Sequence, residues 1–480
     1  MVWTVATCAI GLVVTVVLTP IVRSLAIRCK LLDRAAQFHS TRSVAVPRLG
    51  GVVLIIAFCV ISTGIFAFHG PEFPVPEEAW LIVASSLAMF LLGFWDDLQP
   101  LGAKFKLAVQ ILIAFLAYAG GLQIGQWENP FTRTLYHLGF LDGPLTVLWL
   151  VAVTNLINLV DGVDGLAAGL AFMLMVLLTL VSLSGEKYFS MFLSVGMAGA
   201  LLGFLFYNFP PARIFMGDGG AYFLGFLIAA LSLHNANKGT VAAALIAPFF
   251  ALGLPIIDAS FTLLRRGLTG LPIFRADRRH IHHRLSGMGF SQRHVVWMLY
   301  GVCGFFSVLA LGVFISQGRL LPVLFGLFMF GMVLAARIFG FVQDWYKLGR
   351  LLTNAIRKRK ETQYALLLGR WLEMEAERSK NLENLWTDFV FVAQRLGFCK
   401  VRVKSVSGMN HWQSSQTMTS ADEGRMMHLE VGGEMPVEFD FYAAATSLDD
   451  EMFKFLAELA AESWIKALKR WKVCNISAAQ

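Results

Sequence analysis

Two adjacent carboxylates, Asp96 and Asp97, end an apolar run in SSLAMFLLGFWDDLQPLGAKFKLAVQ, residues 85–110. Acidic groups at a helix carboxyl end oppose the macrodipole. Neighbouring carboxylates also repel, and one is driven toward its neutral form unless a cation stands between them. A solvated helix end is the plainer account of such a pair. A divalent cation would remove both penalties.

Three more polar clusters follow comparable apolar runs. NLINLVDGVDGLAAG supplies Asn155, Asn158, Asp161 and Asp164. Its two Asp are spaced i, i+3 and share a helical face if a helix starts near them. A cap explains one Asp there, but explains two Asp plus two Asn less well. YNFPPARIFMGDGGAYFLG supplies Asn208, Arg213 and Asp218. Capping is again the bland account, yet its glycines let backbone N–H groups approach a phosphate at a helix start. DRRHIHHRL places His280, His282, His283 and Arg284 beside two further Arg. Their spacing matches no zinc pattern. A solvated basic loop is the simple reading, and a polyanion such as a pyrophosphate is the chemical one. Lys104 and Lys106, just after the Asp pair, serve either as topology signals or as phosphate neutralisers.

Carboxylates and Asn on one side with Arg and His on a neighbouring loop point to Mg²⁺, which binds a few carboxylates and fills its shell with substrate phosphates and water. That arrangement suits phosphoryl transfer, where catalysis is mostly positioning and charge neutralisation.

The elements that must position these groups are membrane helices. The chain has 480 residues, 56% hydrophobic and 15% charged, against about 25% charged in soluble domains. Apolar runs predict about eleven spans, near 2–22, 49–68, 79–95, 105–121, 144–160, 165–183, 189–207, 220–234, 240–264, 294–315 and 320–342. The first lacks a basic leader and a cleavage site, and reads as a retained helix. The formal net charge of +8 reads as membrane topology, with no nucleic-acid partner. Arg23, Arg28, Lys30, Arg34, Arg42 and Arg48 crowd the first loop, which the positive-inside rule sets in the cytoplasm. All four polar clusters then share the cytoplasmic face. Six Cys without paired spacing suggest neither disulfides nor zinc. After residue 342 the composition turns polar, with helical patterns around alternating runs such as CKVRVKSV, RMMHLEV and VEFDFYA. The fold class expected is an all-α polytopic membrane protein of about 11 transmembrane helices, residues 1–342, with a small α+β cytoplasmic C-terminal domain, residues 343–480.

The stretches DDLQPLGAKFKLAVQ, NLINLVDGVDGLAAG, NFPPARIFMGDGGAYFLG and DRRHIHHRL, in this order, resemble the polyprenyl-phosphate N-acetylhexosamine-1-phosphate transferase family (glycosyltransferase family 4). The last stretch is more similar to its N-acetylglucosamine-type initiators than to its muramoyl-pentapeptide branch. The resemblance implies a Mg²⁺-dependent (or Mn²⁺-dependent) enzyme of the bacterial inner membrane. It would move a sugar-1-phosphate from a UDP-N-acetylhexosamine to undecaprenyl or another polyprenyl phosphate, release UMP and start cell-envelope polysaccharide synthesis. It also implies dimers. By motif, Asp218 resembles the principal metal ligand, with Asp97 and Asn158 completing the metal set. Asp96 and Asp97 resemble the acceptor and metal pair, one of them a base. Lys106 would contact phosphate. Asn158, Asp161 and Asp164 would line the nucleotide pocket, with Asn208 also on the substrate. His280, His282, His283 and Arg284 would hold sugar and pyrophosphate, His282 among the catalytic residues. Pro47, Arg48, Gly50 and Gly51 match the family's Pro-Arg-x-Gly-Gly run, whereas its upstream Lys and His have no counterpart in place. The tail lies outside the family pattern and implies a partner of its own.

Two other classes use the same carboxylates. A cation-coupled transporter requires polar groups at mid-span depth, where these spans are apolar. A membrane sensor requires an output signature, and residues 343–480 carry none.

Overall fold

The computed structural model describes residues 2–29, 46–68, 70, 74–128, 134–235, 289–316, 320–338, 360–379, 381–405, 408–413, 425–431, 437–444 and 450–477. These fall into two units, one within residues 2–338 and one within 360–477.

The first unit is helical. Its helices are α1 (Val2–Arg28), α2 (Gly50–Ala67), α3 (Glu78–Leu98), α4 (Ala103–Ala119), α5 (Asp142–Val160), α6 (Leu166–Ser184), α7 (Tyr188–Asn208), α8 (Gly217–Asn235), α9 (Gln292–Ile315) and α10 (Leu321–Ile338). They fall on the expected span positions. Among the described residues, seven helical segments are long and apolar enough to cross a bilayer: α1, α2, α3, α5 with its preceding turn, α6, α7 and α9. The expected total of eleven is therefore not reached among them, and the span at 240–264 lies outside the described residues. A short hairpin, β1 (Gln126–Glu128) with β2 (Leu135–His137), lies between α4 and α5. Asp142 pins its base, with Oδ1 accepting the Gly125 amide at 2.7 Å.

Helix α8 is the hub. Every one of its residues except Asp218 is buried, and it packs against α2, α3, α5 and α6. A helix apolar on all sides has no outward face and belongs in the middle of a bundle. Outer helices keep apolar side chains on their free faces, such as Val5, Val13 and Val17 of α1 and Leu112 and Phe115 of α4, as lipid contact requires. The charged residues of the site sit at helix ends, because a buried or lipid-exposed charge in the hydrocarbon is costly.

The second unit is a four-stranded antiparallel sheet with helices. A helix over 360–375, α11, is followed by α12 (Leu382–Arg395), β3 (Lys400–Ser405), β4 (Gly408–Gln413), β5 (Arg425–Val431), β6 (Val437–Ala443) and α13 (Asp450–Ser477). Strand order is β4-β3-β6-β5, with Val401 opposite Phe441 and Val403 opposite Phe439. Strand β6 alternates strictly. Val437, Phe439, Phe441 and Ala443 are buried, joining Phe389 of α12 and Phe453 and Trp464 of α13 in one core. The other face carries charge pairs, Lys404 with Glu438 at 3.0 Å and His428 with Asp440 at 2.7 Å.

Candidate active site

Asp218 stands at the start of α8, and everything around it serves to seat that turn. Gly217 precedes it with φ +78°, a left-handed backbone that side chains rarely tolerate. The strand-like segment before it is laced to residues 47–51. The Phe215 amide donates to the Pro47 carbonyl, and the Gly50 and Gly51 amides donate to the Phe215 and Met216 carbonyls, each at 2.8 Å. Pro47, Gly50 and Gly51 therefore build the Asp218 turn. This is the structural account of the Pro-Arg-x-Gly-Gly run, whose purpose the sequence left open.

Asp96 and Asp97 lie in the last turn of α3. Residues i and i+1 of a helix do not face the same way, and these two diverge. Asp96 turns to α4: Oδ1 accepts the Leu101 amide at 2.7 Å, and Oδ2 accepts from Lys106 Nζ at 2.7 Å. Asp97 turns to α8. Its Oδ1 accepts the Asp218 amide and its Oδ2 the Gly219 amide, both at 2.9 Å. The carboxyl end of α3 thus meets the amino end of α8, where unpaired N–H groups favour anions. The penalties that the sequence reading assigned to a missing cation are met in part by Lys106 and by this helix start.

The Asp218 side chain is held between two donors. Asn158 Nδ2, from the last turn of α5, donates to Oδ1 at 3.0 Å, while Lys106 Nζ lies 3.5 Å from Oδ2. Asp161, capping α5, completes the cluster. Burial, followed by the negative charges of Asp218 and Asp97, pushes its carboxyl well above the usual range, and the Arg48 guanidinium offsets only part of this.

Of the other sequence-predicted residues, Asp164 and Asn208 are buried braces of the adjoining loop. Asp164 Oδ2 accepts the Ala212 amide at 2.9 Å. Asn208 Oδ1 accepts the Gly165 amide at 3.1 Å, and its Nδ2 donates to the Ile214 carbonyl at 2.9 Å. Arg293 of α9 donates from Nε to the Pro210 carbonyl at 2.8 Å, a contact with no motif to announce it. His280, His282, His283 and Arg284 lie outside the described residues. Gln110, one turn past Lys106 and only 1% exposed, also went unremarked; its Oε1 accepts from Asn155 Nδ2 at 2.6 Å.

Among the described residues, no three His, Cys, Asp or Glu side chains form a ready metal cage. The donors present are all oxygen: Asp218, Asp96, Asp161 and the Oδ1 that Asn158 leaves over. Oxygen donors in small number fit a hard cation that takes its remaining ligands from phosphates and water.

The family model for glycosyl transferase family 4 matches residues 79–236, a stretch that holds the whole cluster. A Bacillus subtilis (strain 168) protein named "Probable undecaprenyl-phosphate N-acetylglucosaminyl 1-phosphate transferase" is 35% identical over 341 residues, covering 70% of this chain and 92% of that protein. A phospho-N-acetylmuramoyl-pentapeptide-transferase of Shouchella clausii (strain KSM-K16) is 30% identical over 324 residues, covering 64% of this chain and 94% of its own. A decaprenyl-phosphate N-acetylglucosaminephosphotransferase of Mycobacterium tuberculosis (strain ATCC 25618 / H37Rv) is 39% identical over 119 residues, or 22% of this chain and 30% of that one.

Proposed function

This chain belongs to the polyprenyl-phosphate N-acetylhexosamine-1-phosphate transferases of glycosyl transferase family 4, and from that membership we propose that it transfers N-acetylglucosamine-1-phosphate from UDP-N-acetylglucosamine to undecaprenyl phosphate. An oxygen of the lipid phosphate attacks the sugar-bearing phosphorus. The bond from that phosphorus to the bridging oxygen breaks, and UMP leaves. The lipid-linked sugar diphosphate that forms is a starting unit for cell-envelope polysaccharide, and the chemistry takes place at the cytoplasmic face of the bacterial inner membrane.

The observation that carries this reading is the convergence of three helix ends on Asp218. Asn158 comes from α5, Lys106 from α4, and Asp218 itself opens α8. A diphosphate donor and a monophosphate acceptor must come together here, so positive charge has to stand at the site. Lys106 meets that need: Nζ is anchored on Asp96 at 2.7 Å and keeps only a long contact of 3.5 Å to Asp218, so its charge stands beside an incoming phosphate. Asp218 and the Asn158 carbonyl oxygen would hold Mg²⁺, with Asp96 next to them. The cation would neutralise the diphosphate and polarise the leaving oxygen. Asp161 faces Asp218 and Asp97 electrostatically and suits a donor or phosphate that brings its own positive counterion. The braces Asp164, Asn208 and Arg293 hold the 208–216 loop that delivers Asp218.

A panel of UDP-sugars tests the proposal. Full-length protein in lipid nanodiscs releases UMP from UDP-N-acetylglucosamine only when polyprenyl phosphate and Mg²⁺ are both present. Release without the lipid, or with no preference among UDP-sugars that have an N-acetyl group and those that lack one, would overturn the donor and acceptor assignments.

A further inference from the structure

The adjacent carboxylates of α3 invite one role for both, yet their surroundings divide them. Asp96 meets a side-chain cation. Asp97 gives its oxygens to backbone: one accepts the Asp218 amide and one the Gly219 amide, with equal lengths of 2.9 Å. Those two amides lie in the first turn of α8, where no helix carbonyl precedes them to accept their hydrogens. The usual remedy is an N-cap side chain just before the helix. Here the preceding residue is Gly217, which has no side chain to offer, and a Cβ at that position would lie 2.6 Å from Asp97 Oδ2. The cap is therefore supplied by a different helix, and the glycine keeps room for it.

We propose that Asp97 is a positioning residue which caps α8 from α3 and so sets the place of the Asp218 carboxylate, without itself touching metal or substrate. This rests on the reading above that Asp218 is the principal metal residue. The two roles are linked through the backbone. The amide that Asp97 holds belongs to Asp218 itself, so a slack cap shifts the Asp218 side chain relative to Asn158 and Lys106. Close packing tightens the linkage further. Gly93, one turn earlier on α3, lies so near the Asp218 carbonyl carbon that a Cβ would stand 2.6 Å from it. Helix α3 therefore grips the start of α8 at two points, one by contact and one by hydrogen bonds.

The test compares Asp97→Asn, Asp97→Ala, Gly217→Ala and Asp218→Asn in full-length protein held in nanodiscs. Deuterium exchange is read on peptides spanning 217–221, Mn²⁺ binding by electron paramagnetic resonance, and turnover by UMP release. Exchange at 217–221 speeds up at least tenfold in Asp97→Ala, less in Asp97→Asn, and in the same direction in Gly217→Ala, while Asp218→Asn leaves it unchanged. Mn²⁺ affinity falls by about 10-fold in Asp97→Ala and by less in Asp97→Asn, as the loss of an outer-shell positioning partner predicts, and is lost in Asp218→Asn. Turnover drops on the order of 100-fold in Asp97→Ala, as misplacement of a reacting centre predicts, mostly in kcat. Unchanged exchange in Asp97→Ala, or loss of Mn²⁺ from Asp97→Asn as complete as from Asp218→Asn, would overturn the positioning role. The exchange measurement needs neither donor nor lipid, so it decides Asp97 even if the wild-type protein released no UMP.

Discussion

Asn158 and Asp218, on helices that share no loop, meet through one hydrogen bond of 3.0 Å from Nδ2 to Oδ1. The bond fixes which Asp218 oxygen is spoken for and leaves the Asn158 carbonyl oxygen beside it. Asn158→Ala removes a donor to Asp218 and, on the proposed function, a cation ligand. It is expected to reduce kcat by about 10- to 100-fold and to raise the Mg²⁺ concentration needed for half-maximal UMP release. Asn158→Asp, which keeps the oxygens but loses the donor, restores Mg²⁺ dependence only in part.

Lys106 sits between Asp96 and Asp218 at 2.7 and 3.5 Å. Lys106→Met leaves two carboxylates facing each other with no cation. Stripping a partly buried charge of its partner costs about 1–3 kcal/mol, so the metal-free protein melts at a lower temperature. Saturating Mg²⁺ narrows the gap in thermal midpoint between variant and wild type, because the ion takes over the neutralising charge. An equal gap with and without Mg²⁺ would count against a cation beside these carboxylates.

Glycines around the Asp218 turn separate by what they touch. At Gly51 a Cβ would stand 2.7 Å from the Gly220 Cα, backbone that cannot yield, whereas at Gly64, also on α2, nothing lies within 4 Å. Gly51→Ala is expected to destabilise by about 1–3 kcal/mol and to abolish turnover. Gly64→Ala leaves thermal midpoint and UMP release near wild type. Both are read in a single thermal-shift and activity series.

Asp161 keeps a half-buried carboxyl near two others, and burial, followed by the repulsion of Asp218 and Asp97, raises its pKa. Asp161→Asn removes the ionisable group and with it the repulsion from Asp218 and Asp97. The variant is expected to be more stable than wild type in EDTA at neutral pH, by about 0.5–2 kcal/mol, and to lose turnover. Destabilisation in EDTA would show that Asp161 holds the fold instead.

In the second unit, His428 donates to or accepts from Asp440 at 2.7 Å on the exposed sheet face. The Asp440 contact, and then that of Glu430, raise the His428 pKa above 6.5. A raised folded-state pKa means stability that is present in full below pH 6.5 and is lost as pH rises through the higher folded value. Calorimetry of the full-length protein should show the transition of residues 360–477 falling as pH rises above 6.5. His428→Gln should flatten that slope.

The sequence announced the chemistry better than its placement. Asp96, Asp218, Asn158 and Lys106 stood out because polar and ionisable groups at the ends of apolar runs need a reason, and the structure brings these four side chains together. Asp97 was legible as a carboxylate but not as a cap, since its partner amides are 121 and 122 residues away and no periodicity links them. The strap from Pro47 to Gly51 was visible as a motif, but its backbone bonds to 215–216 leave no side-chain signature. Asp164 and Asn208 read as substrate contacts because a loop brace and a ligand use the same residue types. Strands β3, β5 and β6 show alternating apolar residues. Strand β4, Gly408–Gln413, does not, and its place is set by its antiparallel pairing with its sequence neighbour β3, Ser405 opposite Gly408. The hairpin at 126–137 rests on the Asp142 contact to Gly125, again a long-range bond.

The whole account turns on which bond of the donor breaks. Donor carrying ³²P on the phosphorus next to the sugar, incubated with full-length protein, polyprenyl phosphate and Mg²⁺, puts the label into the lipid fraction and leaves UMP unlabelled, and with Asp218→Asn the label stays in the donor. Label that stays in water-soluble UDP while the sugar moves to lipid would contradict it, because the chain would then transfer sugar without its phosphate.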